Sequence, residues 1–405
     1  MDRTILHCDL NNFFASVEIL AKPELKDVPM AVCGDAENRR GIILAKNQIA
    51  KGYGVVTAET IWQAQRKCPD LVLVPPHREK YTKYSKIVFQ IYERYTDMVE
   101  SFGIDEAWLD VTGSLNLFGS GKGIADDIRT IIKEEVGLTV SVGVSFNKIF
   151  AKLGSDYKKP DATTVITKAD FKEIVYPLPV SELLYVGKKA TTALVKLDIK
   201  TIGDLALSDR SIISSKLGKT GEMIHDYANG LDYSPVQFAH KKREMKSVGR
   251  GSTFNHNLIG VEEIKKEMLP LAENVAARLR CYGLKCTTVQ ITIRDPKFKT
   301  ITRQRKLQKP TCITSEIINV AIEILEQSWN MDKPIRMLTI TGSNLVSKEG
   351  SGQISFFDIE EDEENKKAEK IEYLVDDIRR KYGSSSISLG ANIHKSPSVD
   401  GDKSQ

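Results

Sequence analysis

The chain has 405 residues, 41% hydrophobic and 28% charged, with a net charge of +4, a composition that fits globular domains and excludes fibrous, collagen-like and disordered classes. One compact core is not expected at this length, so three or four units of ordinary domain size are. The charge is unevenly spread: Lys plus Arg against Asp plus Glu is 30 to 31 in residues 1–240, 20 to 10 in 241–348 and 8 to 13 in 349–405. A basic block of this kind fits a polyanion, most often nucleic acid, although a solvated lysine-rich surface gives the same count.

The opening MDRTILHCDLNNFF lacks a basic segment followed by an apolar one, and no apolar run reaches the roughly 18 residues of a membrane span, so a cytoplasmic protein with no membrane partner is expected. Residues 4–10 are short and β-rich and run straight into a helical pattern from Asn11 to Glu18, which predicts a strand delivering a helix with Asp9 at the strand end. In His7-Cys8-Asp9, strand neighbours alternate faces and cannot all meet one ion, so zinc is not expected there. Residues 13–79 hold two apolar stretches, 28–33 and 41–45, and a helix-like segment from Thr60 to Cys68, enough for a small insertion on a sheet.

From Met98 to Thr112, apolar residues flank Gly103-Ile104-Asp105-Glu106, which predicts a hairpin with its acids near the tip. Gly119-Ser120-Gly121-Lys122-Gly123 hints at a phosphate-binding loop, but position 116 is Asn and no Ser or Thr follows the lysine; it is a loop before an amphipathic helix, 123–135. Residues 138–144 form a nearly continuous apolar strand of the buried kind. Residues 166–232 read as short helices, one opening at Val186-Gly187-Lys188-Lys189-Ala190, and 233–246 as an exposed linker.

A second α+β unit follows. In it, Val289, Ile291 and Ile293 alternate with Thr288, Gln290, Thr292 and Arg294, so one face packs and the other meets solvent or a ligand. The strand-like 300–306 carries Arg303, Arg305 and Lys306, and helices 261–281 and 315–329 supply cover. From about Ser347 the chain turns polar and acidic and is expected to be mobile, apart from a helical stripe, Ile371, Leu374, Val375 and Ile378, that reads as a packing face. The six cysteines form no CxxC pair and are expected to be reduced thiols.

Phosphoryl transfer needs divalent cations held by hard oxygen ligands, so carboxylates must converge from several strands. Asp9, Asp105 and Glu106 could do so if their strands are neighbours; on spacing alone, solvated acids at a turn remain the commoner case. Three ordered runs decide the reading: Cys8-Asp9-Leu10-Asn11-Asn12-Phe13-Phe14-Ala15-Ser16-Val17-Glu18, Ser101-Phe102-Gly103-Ile104-Asp105-Glu106-Ala107-Trp108-Leu109-Asp110, and Ser141-Val142-Gly143-Val144-Ser145-Phe146-Asn147-Lys148-Ile149-Phe150-Ala151-Lys152-Leu153. With Lys246-Ser247-Val248-Gly249-Arg250, they closely resemble the Y-family DNA polymerases, specifically the DNA polymerase IV branch, over roughly residues 1–345.

The resemblance implies an α+β multidomain right hand: a ferredoxin-like palm (1–12 and 80–165), small fingers (13–79), a helical thumb (166–232), a linker (233–246), a little finger (247–345) and an acidic tail (346–405). It implies template-directed synthesis of low fidelity on primer-template DNA with dNTP, probing past lesions, by a monomer. Asp9, Asp105 and Glu106, with the Leu10 carbonyl, would hold two Mg2+ ions, for which Mn2+ can substitute. Phe14 matches the aromatic gate against a 2′-hydroxyl, with Asn12 and Phe13 beside it, and Lys159, with Lys158 as its rival, matches a lysine that reaches the triphosphate. Gln48 and Lys51 stand where many relatives carry tyrosine and arginine, so bidentate arginine geometry is lost. Gly187 and Lys188 resemble a helix-hairpin-helix phosphate contact, with Tyr185 in place of a more usual glycine. Lys246, Arg250, Arg303 and Arg305 are expected on DNA, and Gln353, Ile354, Phe356 and Phe357 resemble the peptide that docks on the bacterial sliding clamp. The rivals are a catalytically idle, clamp-tethered DNA-binding protein and a nucleotide cyclase; the intact acids argue against the first, and the basic domain and clamp peptide against the second.

Overall fold

The computed structural model describes residues 2–35, 41–241, 244–347, 359–383 and 385–387, with side chains in the last helix from Lys367 onward. The chain forms two compact units, residues 1–241 and 242–405. The expected clamp peptide, Gln353 to Phe357, lies outside the described residues.

In the first unit, β1 (Ile5–Leu10) is the middle strand of five. It pairs antiparallel with β6 (Glu106–Asp110) on one side and with β7 (Val140–Ser145) on the other; β5 (Val99–Ser101) lies beyond β6, and β8 (Thr163–Ile166) lies parallel beyond β7. Every residue of β1 and β7 is buried, because helices cover both sheet faces. Leu6, Cys8 and Leu10 join one core with Tyr81, Val88 and Ile91 of the helix Arg78–Tyr92 and with Ile124 and Ile128 of the helix Gly121–Ile131. On the other face, Ile5 packs with Ala151 of the helix Lys148–Tyr157. That helix also sends Ile149, Phe150 and Leu153 into the core of the short helices between 171 and 228, so the five-stranded sheet and those helices share it.

A second sheet, smaller, joins β2 (Met30–Cys33) to β3 (Ile43–Lys46) and β4 (Val72–Val74). The stretch expected as an exposed linker is exposed at most of its described residues, with a few contacts that strap down its first half. Val236 is 1% exposed among Ile5 and Trp108, Ala239 N–H donates to the Asp97 carbonyl, and Gln237 N–H donates to Glu100.

The second unit is a four-stranded antiparallel sheet in the order β11 (Thr300–Thr311), β10 (Leu284–Arg294), β12 (Ile335–Ser347), β9 (Ser247–Leu258). Val289, Ile291, Ile293, Leu338 and Ile340 pack on the helices Val261–Cys281 and Thr314–Ser328. The helix Ile359–Tyr382 docks through its polar side. Arg280, 6% exposed, pairs with Asp376 at 2.6 Å and with Glu372, and Lys285 pairs with Glu369 at 2.9 Å. The stripe read as a packing face therefore points outward, with Ile371 60% and Leu374 62% exposed. A buried guanidinium is costly without partners, and the carboxylates that satisfy it fix which side of the helix faces in.

All six cysteines are free thiols, and no helix among the described residues is long and apolar enough to cross a membrane.

Candidate active site

Asp9 stands opposite Glu106 in the β1–β6 register, and the Leu10 N–H donates to the Asp105 carbonyl at 3.1 Å. The turn between β5 and β6 closes on itself, with the amides of Phe102 and Gly103 donating to the Glu106 carbonyl. Antiparallel pairing across two residues of register is thus what brings acids 96 and 97 positions apart to one sheet edge. Asp9, Asp105 and Glu106 line a single cavity of about 370 Å³ together with Leu10, Phe14, Lys152 and Lys159.

The helix Lys148–Tyr157 lies over this edge and contributes Lys152, whose Nζ is 3.0 Å from Asp9, 2.8 Å from Glu106 and 3.3 Å from Asp156. Lys159 reaches Asp9 at 2.7 Å and Asp156 at 2.6 Å. His7 shares the strand face of Asp9, two residues away. Its Nε2 is 3.3 Å from Glu106, its Nδ1 meets Ser155 Oγ at 2.8 Å, and ligand atoms of His7, Asp9 and Glu106 lie within 4.8 Å of one another. Cys8 points the opposite way into the core, as strand alternation requires.

Burial, followed by the negative charges of Asp9 and Glu106, pushes the Asp105 carboxyl up to about 6. Burial would raise Glu106 as well, but the nearby His7 Nε2 and the charge of Lys152 outweigh it and hold Glu106 down at about 2. Burial also works against the Lys152 and Lys159 ammoniums; the carboxylates around them more than compensate, and both are raised. Burial lowers His7, which is therefore neutral near pH 7.

Phe14 lines the same cavity and stacks on Tyr81, with centroids 4.1 Å apart and planes 10° apart. Tyr81 is itself anchored, its hydroxyl donating to Glu18 at 2.6 Å. Phe13, expected beside the nucleotide, also lines this cavity, while most of its ring, 2% exposed, packs into the core beneath. Asn12 takes a left-handed backbone, φ 50°, at the start of the helix Phe13–Ala21. An adjoining space, lined by Gln48 and Lys51, shares Asp9, Leu10, Asn12, Lys46 and Lys159 with the first.

Residues 8–156 match the model of the impB/mucB/samB family and residues 245–356 that of its C-terminal domain. The chain is 50% identical over 390 residues to a DNA polymerase IV of Acetivibrio thermocellus, covering 96% of this chain and 97% of that protein. It belongs to the DNA polymerase IV branch of the Y-family. A DNA polymerase IV of Clostridium kluyveri is 40% identical over 400 residues, 98% of this chain and all of that protein's length at 100%. Among solved structures, a Y-family DNA polymerase chimera superposes with a TM-score of 0.76 at 23% identity, over 85% of this chain and 99% of that one, and shares its fold. The enzyme is a DNA-directed DNA polymerase of the translesion class, dependent on divalent metal.

Other expected contacts lie elsewhere in this polymerase. Gly187 and Lys188 open the helix Lys188–Val195 in the first unit. Tyr185, where a glycine is more usual, has φ 71°, the left-handed region that glycine adopts without steric cost. Lys246 and Arg250 lie at the start of the second unit, both exposed. Arg303 and Arg305, expected on DNA, do not lie on the open sheet face. Arg303 pairs in register with Ile291 and Arg305 with Val289, so both project to the helix-covered side, where Arg305 bonds Glu323 and Gln327. The open face carries Gln290, Thr292, Arg294, Thr302, Gln304 and Lys306.

Sequence reading also passed over Lys152, Asp156, His7, Lys46 and Tyr81. Lys152 and Asp156 are four apart on one helix face, which resembles any solvated ion pair; only the strand beneath that face distinguishes them.

Proposed function

We propose that this polymerase transfers deoxynucleotides from dNTP to a primer 3′-hydroxyl of primer-template DNA at the cavity where Asp9, Asp105 and Glu106 meet, using two Mg2+ ions, or Mn2+ in their place. The observation that carries the reading is the convergence of carboxylates from β1 and the β5–β6 hairpin beside a space bordered by Lys46, Lys51 and Lys159. The donor set fits the ions: hard carboxylate oxygens, and an Asp105 whose ionisation is opposed first by burial and then by its acidic neighbours, so that a cation among them is favoured. When bound, the ions supply the charge that steadies the triphosphate and activates the hydroxyl.

The chain's own groups do the rest. Glu106, held ionised by Lys152 and His7, is ready as a ligand at neutral pH. Lys159, Lys51 and the Gln48 amide face the triphosphate. The helix Lys188–Val195 has no side-chain cap at Gly187, which leaves its first amides for a DNA phosphate. Residues 353–357 tether the enzyme, a cytoplasmic monomer, to the sliding clamp. The wild-type enzyme extends an undamaged primer with Mg2+ and does not with chelator; no extension overturns the reading. In the same assay, adding clamp stimulates extension, and deleting 353–357 removes that stimulation.

Phe14 selects the sugar, because the stack on Tyr81 leaves its ring no room to retreat from a 2′-hydroxyl. Phe14→Ala is expected to lower discrimination against ribonucleotides by roughly 100-fold, on the scale that steric pockets achieve. Single-nucleotide kinetics with matched dNTP and NTP measure it, and unchanged selectivity removes Phe14 from the role.

On the second unit, the open sheet face lies on the phosphate backbone. Lys306→Ala and Arg294→Ala are each expected to reduce the salt slope of DNA binding by about one. Arg305→Ala, whose guanidinium is engaged with Glu323, leaves the slope unchanged. A reversed pattern in fluorescence titrations at several salt concentrations would place DNA on the other side.

A further inference from the structure

Lys46 ends β3, and its position is fixed from both sides. The next residue, Asn47, is buried and ties the strand end down: its side chain accepts from the amides of Met30 and Ala50 and donates to the Val28 carbonyl at 2.7 Å. Across from it, the loop 57–59 is pinned to β3, with Ile43 N–H donating to Glu59 and Ala58 N–H donating to Ile43. Thr57 is thereby held where its hydroxyl accepts from Lys46 Nζ at 3.0 Å. Lys46 and Thr57 both line the cavity that contains Asp9, Asp105 and Glu106, and Lys46 also borders the adjoining space with Lys51 and Lys159.

The charges around these lysines are unequal. Lys159 is matched by two carboxylates, Asp9 and Asp156. Lys46 has only a neutral hydroxyl; the nearby Glu59 is taken by Lys67 at 2.6 Å, and among the described residues no carboxylate lies within ion-pair distance of Lys46. Burial, and then the charge of Lys51, work against the Lys46 ammonium. Lys46, Lys51 and Lys159 border one space in which Asp9 is the single lining carboxylate; that excess of cations is complementary to an anion with several hard oxygens, and a compact ammonium suits phosphate oxygens.

We propose that Lys46 binds the phosphates of the incoming nucleotide, with Thr57 positioning its amine, and so supplies a charge that Gln48 cannot. This rests on the polymerase site assigned above. A charge-assisted contact to phosphate lost from the bound state is expected to weaken nucleotide binding roughly tenfold.

The test titrates dNTP onto the complex of the enzyme with a dideoxy-terminated primer-template and Mg2+, so that binding is read without turnover. Lys46→Met, which keeps the apolar stem, is expected to raise the Kd for dNTP about tenfold, and Lys46→Arg to restore it to within about threefold. On an extendable primer KM rises in parallel, kcat changes less, and inhibition by inorganic pyrophosphate weakens. Thr57→Val gives a smaller shift in the same direction. A Lys46→Met Kd within about twofold of wild type, in an enzyme whose wild type binds dNTP and extends primer, overturns the role of Lys46 and leaves the site standing. A wild type that neither binds dNTP nor extends primer overturns both. Equal loss in Lys46→Met and Lys46→Arg assigns the residue to folding of the loop and also overturns the proposal.

Discussion

Asp105→Asn is expected to reduce primer extension by about 1,000-fold or more, the consequence of removing several kcal/mol of charge stabilisation at a metal-assisted phosphoryl transfer. The substitution keeps the shape of the side chain and removes only its charge. Asp105 lies among Asp9 and Glu106, and its carboxyl is raised to about 6, first by burial and then by those neighbours. The sign follows from that direction. A carboxyl whose pKa is raised on folding is disfavoured as an anion, so at pH 7.5 its charge costs the metal-free protein stability rather than providing it. Without metal the variant should melt no lower than wild type. Mg2+ should raise the Tm of wild type and raise that of Asp105→Asn less, since a ligand stabilises in proportion to its binding. Extension by the variant at near wild-type rate would remove Asp105 from the metal site. A metal-free Tm well below wild type would instead mark the residue as structural.

What could be read from the sequence follows from how local each signal is. The strand carrying Asp9 and the hairpin carrying Asp105 and Glu106 announce themselves because apolar runs flank acids at abrupt ends. The alternation of Val289, Ile291 and Ile293 likewise gave the buried face of β10. It could not give the face of β11, because register across a sheet is set by pairing, and one residue of slip exchanges the two faces. The three cations of 300–306 cannot be sorted by face from the sequence for that reason; the register puts Lys306 on the open side and Arg303 and Arg305 on the other. The outward stripe of the helix Ile359–Tyr382 misleads in the same way: an apolar periodicity reads as a packing face until a buried arginine, Arg280, is found to need the opposite side. Lys152 was invisible because nothing within its own helix separates it from an exposed lysine.

Gly143→Ala is expected to destabilise the first unit by about 3 kcal/mol or more, a fall in Tm of about 6–12 °C. In β7, Gly143 stands opposite His7, on the face covered by the helix Lys148–Tyr157. A Cβ at this position would meet the Ala151 carbonyl oxygen at 1.9 Å, the Ser155 amide nitrogen at 2.4 Å and the Gly154 carbonyl carbon at 2.8 Å. All three are backbone atoms and cannot swing aside as a side chain can. The helix would have to lift from the sheet, and it is the helix that delivers Lys152 to the acids and Ile149, Phe150 and Leu153 to the core of the short helices between 171 and 228. A lone glycine in an apolar strand commonly marks such a close approach of another backbone. Gly113→Ala is the control, because a Cβ there meets nothing within 4 Å, and it should stay within about 0.5 kcal/mol of wild type. Thermal melting of both variants, with primer extension measured well below the lower Tm, separates the two consequences. Lost packing lowers Tm, and displacement of Lys152 lowers extension even where the protein is folded. A Gly143→Ala enzyme that melts with wild type would mean that the helix does not rest on the strand at this point.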